Sequence, residues 1–232
     1  MKEENRKRIR DGVKAGVPIM LGYVPIGIAY AVMARQAGLG VGQTCLMSLT
    51  VYAGASQMMA AGMLAKQGGF LAIVLATFVL NLRHIIMSAC VMHRMEQTSL
   101  PLRLLAAFGV TDESFAVFTT GNKSRSVFFF LGLALSIYLS WNLGTLLGAV
   151  AMDLLPPIVT ASLGISLYAM FISLLMPDLP GNGRLALLVL LTALCNTLLC
   201  RVLAPSWALI ASTLLCAFAG SFFVETKEES HE

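Results

Sequence analysis

Charged side chains are concentrated at the two ends of this chain. It has 16 basic and 12 acidic residues in 232, and nine of these 28 lie in the first 14 positions and five in the last eight. The others are separated by uncharged runs at 15–34, 36–65, 67–82, 126–152, 154–177, 185–200 and 202–224. A helix that crosses a bilayer needs about 20 apolar residues. Most of the runs reach that length, so the sequence predicts a polytopic membrane protein.

The composition excludes several other classes of protein. Hydrophobic residues make up 57% of the chain and charged residues 12%, against about 25% charged in a typical soluble domain. So few charges cannot cover a soluble enzyme, a nucleic-acid-binding module or a disordered tail. The five cysteines lie in or beside apolar runs, at positions 45, 90, 195, 200 and 216. We interpret them as small packing residues. We therefore expect no metal site, no cofactor and no nucleic-acid partner.

The predicted fold is an all-α transmembrane bundle of about seven to eight spans, with discontinuous helices and a weak inverted repeat. The segments are 16–34, 42–65, 69–91, 104–120, 127–151, 157–176, 185–200 and 202–224. No loop is long enough for a soluble domain. We expect a basic cytoplasmic tail at 1–14, one transport domain at 15–224 and an acidic cytoplasmic tail at 225–232.

The basic residues give the orientation. With eight crossings and a cytoplasmic N-terminus, eleven Lys and Arg residues fall inside and four outside, as the positive-inside rule requires. The fourth segment carries two acids, Asp112 and Glu113, and need not cross. If it does not, every later loop changes side, and the charge count is less favourable.

Small residues recur every four positions in two segments. One stripe is Gly132, Ser136, Ser140, Gly144 and Gly148, and the other is Ala204, Ala208, Ser212, Cys216 and Gly220. This spacing allows close helix packing in a membrane, so both stripes predict helix contacts rather than chemistry. A faint similarity between 18–33 and 157–172 is compatible with an inverted repeat of the kind found in transporters.

Ionisable residues inside spans are costly and usually face a cavity or a partner. In the third segment, Asn81, His84 and Ser88 lie on one helix face, within about 40° of the direction of Thr77, while Arg83 lies away from it. Arg83 needs a partner of its own, or its side chain extends to a lipid headgroup. If the fourth segment crosses, we expect Asp112 or Glu113 to meet Arg83 or His84. The ordinary pKa of a histidine side chain lies near neutrality, so His84 is a candidate to carry a proton. All these groups can equally be hydrogen-bonding contacts between helices.

The second segment contains Gln57 close to Gly54. Its uncharged run of 30 residues would make a helix of about 45 Å, longer than the roughly 30 Å hydrocarbon core. A tilt or a break near Gly54 would absorb the difference. Broken helices expose backbone groups that bind substrate carboxylates, although a kinked helix without a ligand fits the pattern as well.

Four motifs in order resemble the AzlC-type branched-chain amino-acid permeases. They are VYAGASQ at 51–57, NLRH at 81–84, TDESF at 111–115 and LSWNLGTLLG at 139–148. The resemblance extends from about Gly12 to Phe223. It implies a plasma-membrane exporter of valine, leucine, isoleucine and methionine, driven by the proton gradient. It also implies a small AzlD-type membrane subunit as partner.

The sequence thus yields one main hypothesis and one alternative. The first is a secondary exporter of hydrophobic amino acids, in which Gln57, Asn81, Arg83, Asp112 and Glu113 bind substrate. His84, Asp112 or Glu113 then carries the coupling proton. The alternative is a membrane scaffold subunit that does not itself transport. An enzyme is not expected, because no nucleophile–base or metal pattern is present.

Overall fold

The computed structural model describes residues 2–119, 126–154 and 182–223, with scattered positions between 156 and 180. These described residues are mostly helical, and none of their elements is a β-strand, which confirms the all-α membrane bundle. The helices are α1 (Lys2–Gln36), α2 (Val41–Thr50), α3 (Gly54–Ala65), α4 (Phe70–Asn81), α5 (Arg83–Arg94), α6 (Leu100–Phe108), α7 (Asp112–Thr119), α8 (Val127–Ala151), α9 (Gly183–Leu199) and α10 (Pro205–Phe223).

Within the described residues, three helices are long and apolar enough to cross a membrane. They are α1 from Glu3 to Gln36, the pair α4–α5 from Phe70 to Arg94, and α8. The predicted segment 127–151 has the same bounds as α8. The basic residues at 2–14 form the first turns of α1. The segment 157–176, with its similarity to 18–33, lies mostly outside the described residues, and the tail at 225–232 lies wholly outside them.

Helices α1 and α8 run parallel and in close contact. A Cβ atom added at Gly132 would lie 2.2 Å from the Ile9 carbonyl oxygen. One added at Gly144 would lie 2.4 Å from the Val24 carbonyl oxygen, and one added at Gly148 would lie 2.6 Å from that of Ile28. The residue numbers rise together along both helices, which defines a parallel pair. The predicted packing role of the stripe on α8 is confirmed.

Helices α2 and α3 form a hairpin that enters the bundle and returns to the same end. Helix α2 starts five residues after α1 ends, and α3 ends five residues before α4 starts. At the far end of α4–α5, Glu96 pairs with Arg8 near the start of α1, at 2.9 Å. The crossing pair α4–α5 is therefore antiparallel to α1, and both ends of the α2–α3 hairpin lie beside the C-terminal end of α1.

Helices α6 and α7 form a second hairpin, which enters from the opposite end. Helix α6 starts at Leu100, shortly after α5 ends. The last residue of α7, Thr119, accepts a hydrogen bond from the Arg94 guanidinium through its carbonyl. Both ends of this hairpin therefore lie at the N-terminal end of α1. Helices of nine and eight residues reach about 12–14 Å, about half of the hydrocarbon thickness.

The path of the chain thus differs from eight successive crossings at two places. Segments 42–65 and 104–120 each divide into two half-membrane helices that turn back. As a result, Lys66 lies at the same end as Arg35, and Arg94 and Arg103 lie at the N-terminal end of α1. The single crossing of α4–α5 between α1 and α8 explains why those two helices run parallel. Segment hydropathy cannot distinguish one long crossing from two half-length helices, because both are apolar over the same number of residues.

Local sequence explains where the chain turns. Tyr52 has φ +45°, a left-handed conformation that ends α2 and precedes the predicted break at Gly54, which the structure confirms. In the second hairpin, Gly109 ends α6. The Thr111 hydroxyl then accepts from the Ser114 amide at 3.2 Å, and the Ser114 hydroxyl accepts from the Thr111 amide at 2.8 Å. This reciprocal pair resembles a capping box and starts α7.

The last two helices pack against each other through the second stripe. The Ser212 hydroxyl of α10 donates to the Asn196 side chain of α9 at 3.3 Å. A Cβ atom added at Gly220 would lie 2.6 Å from a methyl group of Leu188. Ile210 joins Met63, Ala72 and Ala76 in a small core, so α10 is held against α3 and α4. The predicted packing role of this stripe is confirmed for Ser212 and Gly220.

Candidate functional site

The tips of the two hairpins meet beside the middle of α8. The ring of Tyr52, at the tip of the first hairpin, lies 5.9 Å from the ring of Phe108, at the tip of the second. The ring of Tyr138 contacts both, at 4.8 Å and 5.8 Å between centroids. Residue 138 lies near the centre of the 25-residue helix α8. The tips therefore lie close to the middle of the bundle's thickness, where polar groups are most costly.

An ion pair joins the crossing helix to the second hairpin. Arg83 Nη1 lies 3.0 Å from Asp112 Oδ1, and the two side chains are 31% and 24% exposed. Arg83 is the first residue of α5, after the interruption at Leu82, and Asp112 is the first residue of α7. The predicted meeting of Arg83 with an acid of the fourth segment is confirmed. At the start of α7 the helix dipole favours a carboxylate, which reduces the cost of burying Asp112.

Glu113 and His84 contact other parts of the same region. The Tyr23 hydroxyl of α1 donates a hydrogen bond to the Glu113 carboxylate. The Nδ1 atom of His84 lies 3.1 Å from the Val110 carbonyl oxygen, at the tip of the second hairpin. A carbonyl only accepts, so Nδ1 carries a hydrogen in this contact and Nε2 remains to accept or bind a proton. Both titratable groups are thus attached to the second hairpin.

Gln57 belongs to a buried chain of hydrogen bonds on the other side of the tips. Its amide nitrogen donates to the Ser48 hydroxyl at 3.0 Å, and that hydroxyl lies 2.8 Å from the Thr145 hydroxyl. Thr145 in turn donates to the Trp141 carbonyl at 3.0 Å. Gln57, Ser48 and Thr145 are each fully buried. The chain links the first hairpin to α8.

Asn81 is placed differently from the other predicted site residues. Its side-chain oxygen accepts from the Ser56 hydroxyl at 2.6 Å, which ties the end of α4 to the first turn of α3. The six predicted residues therefore form two groups. Arg83, His84, Asp112 and Glu113 lie around the second hairpin, and Gln57 and Asn81 attach to the first.

Several buried polar atoms near the hairpin tips have no hydrogen-bond partner among the described residues. They are the Tyr52 hydroxyl, the Gln57 Oε1 atom, the Trp141 Nε1 atom and the Arg83 Nε atom. Tyr52 is 4% exposed, Gln57 0% and Trp141 2%. Leaving a buried donor or acceptor unpaired costs about 1–3 kcal/mol. Unpaired buried polar groups in a native protein need an explanation, and their concentration in one region makes this region a candidate site for a polar ligand.

Most of the aromatic residues of this region are not marked out by the amino-acid sequence. Tyr23, Phe108 and Tyr138 look like ordinary apolar residues of spans, and Trp141 reads as a packing contact. The available signal was the aromatic residue next to each turn, Tyr52 before Gly54 and Phe108 before Gly109. Among the described residues, no group of three or more His, Cys, Asp and Glu side chains could hold a metal ion.

Comparison with known proteins connects the chain to one family. The family model described as AzlC protein matches residues 18–155, which include both hairpins and α8. A membrane protein of Archaeoglobus fulgidus described as uncharacterized is 38% identical over 175 residues, 75% of this chain and 77% of that protein. The inner membrane protein YgaZ of Escherichia coli is 33% identical over 174 residues, 72% of this chain and 71% of that protein.

A third relative has a name that states a function. The branched-chain amino acid transport protein AzlC of Bacillus subtilis is 26% identical over 137 residues, which cover 58% of this chain and 54% of that protein. No solved structure matches the chain.

Proposed function

The chain belongs to the AzlC family, and we propose that it is a secondary transporter that exports branched-chain and related hydrophobic amino acids. Its substrates in this proposal are valine, leucine, isoleucine and methionine. The name of the Bacillus subtilis relative supports the class of substrate. One structural observation carries the proposal: two half-membrane hairpins enter from opposite ends, and their tips meet beside an ion pair and a carboxylate in the middle of the bundle.

An amino acid substrate has an ammonium group, a carboxylate and an apolar side chain, and the region has a counterpart for each. Glu113 receives the ammonium group, beside the hydroxyl of Tyr23. The carboxylate is received on the first hairpin, at the break before α3, where Gln57 lies in the first turns of the helix. The rings of Tyr52, Phe108 and Tyr138 provide an apolar surface for a branched side chain.

The remaining predicted residues position these groups or carry the proton. Arg83 holds Asp112 at the start of α7, and Asn81 holds Ser56 at the start of α3. His84, Asp112 and Glu113 are the candidates for the coupling proton, because they are titratable groups attached to the same hairpin. A hairpin that changes protonation can change its position relative to α1 and α8, which is what coupling to a proton gradient requires.

Orientation in the membrane follows from the charges at the two ends of the bundle. Among residues 2–119, eight basic residues lie in the half of the bundle near the N-terminal end of α1, and two lie at the other end. The eight are Lys2, Arg6, Lys7, Arg8, Arg10, Lys14, Arg94 and Arg103, and the two are Arg35 and Lys66. The positive-inside rule supports a cytoplasmic N-terminus in the plasma membrane.

One feature supports a partner subunit. Large apolar side chains are exposed along one side of α4–α5, including Phe70 at 82%, Phe78 at 61% and Ile86 at 69%. This surface suits lipid or a second apolar membrane chain. We propose a small AzlD-type subunit as the partner. The alternative role, a scaffold that does not transport, would leave the polar groups of the tips as contacts between helices.

Reconstitution into vesicles tests the proposal. The chain is purified and reconstituted with and without the small subunit, and movement of labelled leucine is followed with and without an imposed proton gradient. Gradient-dependent movement that needs this chain is expected, and vesicles with the small subunit alone serve as the control. Absence of any leucine movement with both subunits present and correctly folded would refute the transport function. Movement by the small subunit alone would establish the scaffold role.

A further inference from the structure

Tyr52 combines an unusual backbone conformation with a buried side chain and an unpaired hydroxyl. It has a left-handed backbone, with φ +45°, which is uncommon for a residue with a bulky side chain. Its side chain is 4% exposed, and its hydroxyl has no hydrogen-bond partner among the described residues. Strained conformations of this kind persist where the surrounding structure holds them and are concentrated at functional sites.

The hydroxyl is not needed to hold the hairpin in place. The ring of Tyr52 packs against Tyr138 and Phe108 at 4.8 Å and 5.9 Å, and a phenylalanine ring would make the same contacts. The hydroxyl adds only a buried polar group without a partner, which destabilises the protein. The neighbouring Tyr138 is different, because its hydroxyl donates to the Leu49 carbonyl at 2.9 Å. The Tyr138 hydroxyl thus has a hydrogen-bond partner within the protein, and the Tyr52 hydroxyl has none among the described residues.

The helix start that follows Tyr52 favours an anionic ligand. Tyr52 lies two residues before α3, whose first turn has no side-chain cap and contains no acidic residue. Helix α7, by contrast, begins with Asp112 and Glu113. The uncapped amides at the start of α3 favour an anion. The indole of Trp141, whose Nε1 is also unpartnered, lies against the first residue of this helix, 2.8 Å from a Cβ atom added at Gly54.

We propose that the Tyr52 hydroxyl and the free amides at the start of α3 bind the carboxylate of the transported amino acid. The inference rests on the proposed function and makes it more specific. The substrate's ammonium group is at Glu113 on the second hairpin, and its carboxylate is at Tyr52 on the first. One substrate molecule then bridges the two tips, and only a compound with both groups holds them together.

Two matched substitutions test the role of the hydroxyl. Tyr52→Phe is expected to raise the KM for leucine roughly tenfold or more, since a hydrogen bond to a charged group is lost. The same change is expected to raise the Tm of the substrate-free protein by about 2–4 °C, because an unpaired buried hydroxyl is removed. Tyr138→Phe, which removes a hydroxyl that donates to the Leu49 carbonyl, is expected to lower the Tm. A structural role for Tyr52 would give a lower Tm in Tyr52→Phe and would overturn the proposal.

Substrate analogues identify the group that the hydroxyl contacts. Leucinamide lacks the carboxylate, and 4-methylpentanoate lacks the ammonium group. Inhibition of leucine transport by each compound is compared between the wild-type protein and Tyr52→Phe. The proposal predicts weaker inhibition by 4-methylpentanoate in the variant and unchanged inhibition by leucinamide. Equal weakening for both compounds, or weakening for leucinamide alone, overturns it.

Failure of the two proposals can be told apart in the same assay. If the wild-type protein moves leucine and Tyr52→Phe has an unchanged KM, only the carboxylate assignment is wrong. If the wild-type protein with its small subunit moves no leucine, the proposed function is wrong and the assignment is wrong with it.

Discussion

Arg83 Nη1 lies 3.0 Å from Asp112 Oδ1, and this contact joins the interrupted crossing helix to the tip region of the second hairpin. Arg83 follows the irregular residue Leu82, and Asp112 follows the turn at Gly109–Thr111. Each member of the pair thus lies at a helix start and next to a backbone irregularity. The pair fixes the second hairpin relative to α4–α5.

Removing only one charge of this pair should lower the abundance of the protein more than removing both charges. Asp112→Asn leaves the Arg83 charge without its partner, and we expect reduced membrane abundance together with loss of transport. The double variant Arg83→Gln/Asp112→Asn removes both charges, so we expect abundance to recover. Quantitative immunoblotting and leucine transport are measured for both variants. If transport recovers along with abundance in the double variant, the pair serves only to hold the helices together.

Glu113 should be required for transport but not for folding. In Glu113→Gln the amide oxygen can still accept the hydrogen bond from Tyr23, while the negative charge that attracts the substrate's ammonium group is lost. We expect transport at least about tenfold lower, the size of a lost charge-assisted hydrogen bond, with normal abundance. The matched control is Glu96→Gln, at the exposed pair with Arg8, which should transport normally. Normal transport by Glu113→Gln would remove Glu113 from the site.

Adding a methyl group between α1 and α8 should destabilise the protein. In Gly144→Ala the new Cβ atom would lie 2.4 Å from the Val24 carbonyl oxygen, so the helices must separate. We expect a loss of about 1–3 kcal/mol in the free energy of unfolding, measured as a lower Tm in detergent. The control is Gly22→Ala in α1, where nothing lies within 4 Å of the added atom. That change should be neutral or stabilising, because alanine favours helix more than glycine does. Equal Tm values for the two variants would contradict the close parallel pairing.

The two hairpins place Lys66 and Arg103 on the opposite sides of the membrane from those that eight successive crossings would give. In a background without the native cysteines, Lys66→Cys is expected to react with an impermeant thiol reagent from outside, together with Gln36→Cys. Arg103→Cys is expected to react only from the cytoplasmic side, together with Lys7→Cys. Eight successive crossings place Lys66 inside and Arg103 outside. The labelling pattern in intact cells and inverted vesicles therefore decides between the two paths.

The amino-acid sequence predicted the parts of this architecture that depend on composition and on pairs of opposite charge. The predicted segment 127–151 has the same bounds as α8, and the cost of an isolated charge in a membrane led from Arg83 to the two acids Asp112 and Glu113. The break near Gly54 followed from a run too long for one span. The return of each hairpin could not be predicted, because it depends on how half-length helices pack against α1 and α8.

The residues of the candidate site also divide into those that could be identified from the sequence and those that could not. Arg83, His84, Asp112 and Glu113 were identifiable because titratable groups are rare within spans. Tyr23 was not, because a tyrosine is common in apolar helices and only its surroundings show how its hydroxyl is used. Tyr52 is one of the polar residues of the second segment, but its special position is evident only when its φ angle, its burial and its unpaired hydroxyl are considered together.

The contacts between α1 and α8 also limit how the protein can move. Carbonyl oxygens of α1 lie so close to Gly132, Gly144 and Gly148 that the two backbones cannot slide past each other by a helical turn without a clash. Close packing of this kind favours the two helices staying together as one unit. In the proposed transport cycle, opening the centre first to one compartment and then to the other is then the task of the hairpins and of α4–α5.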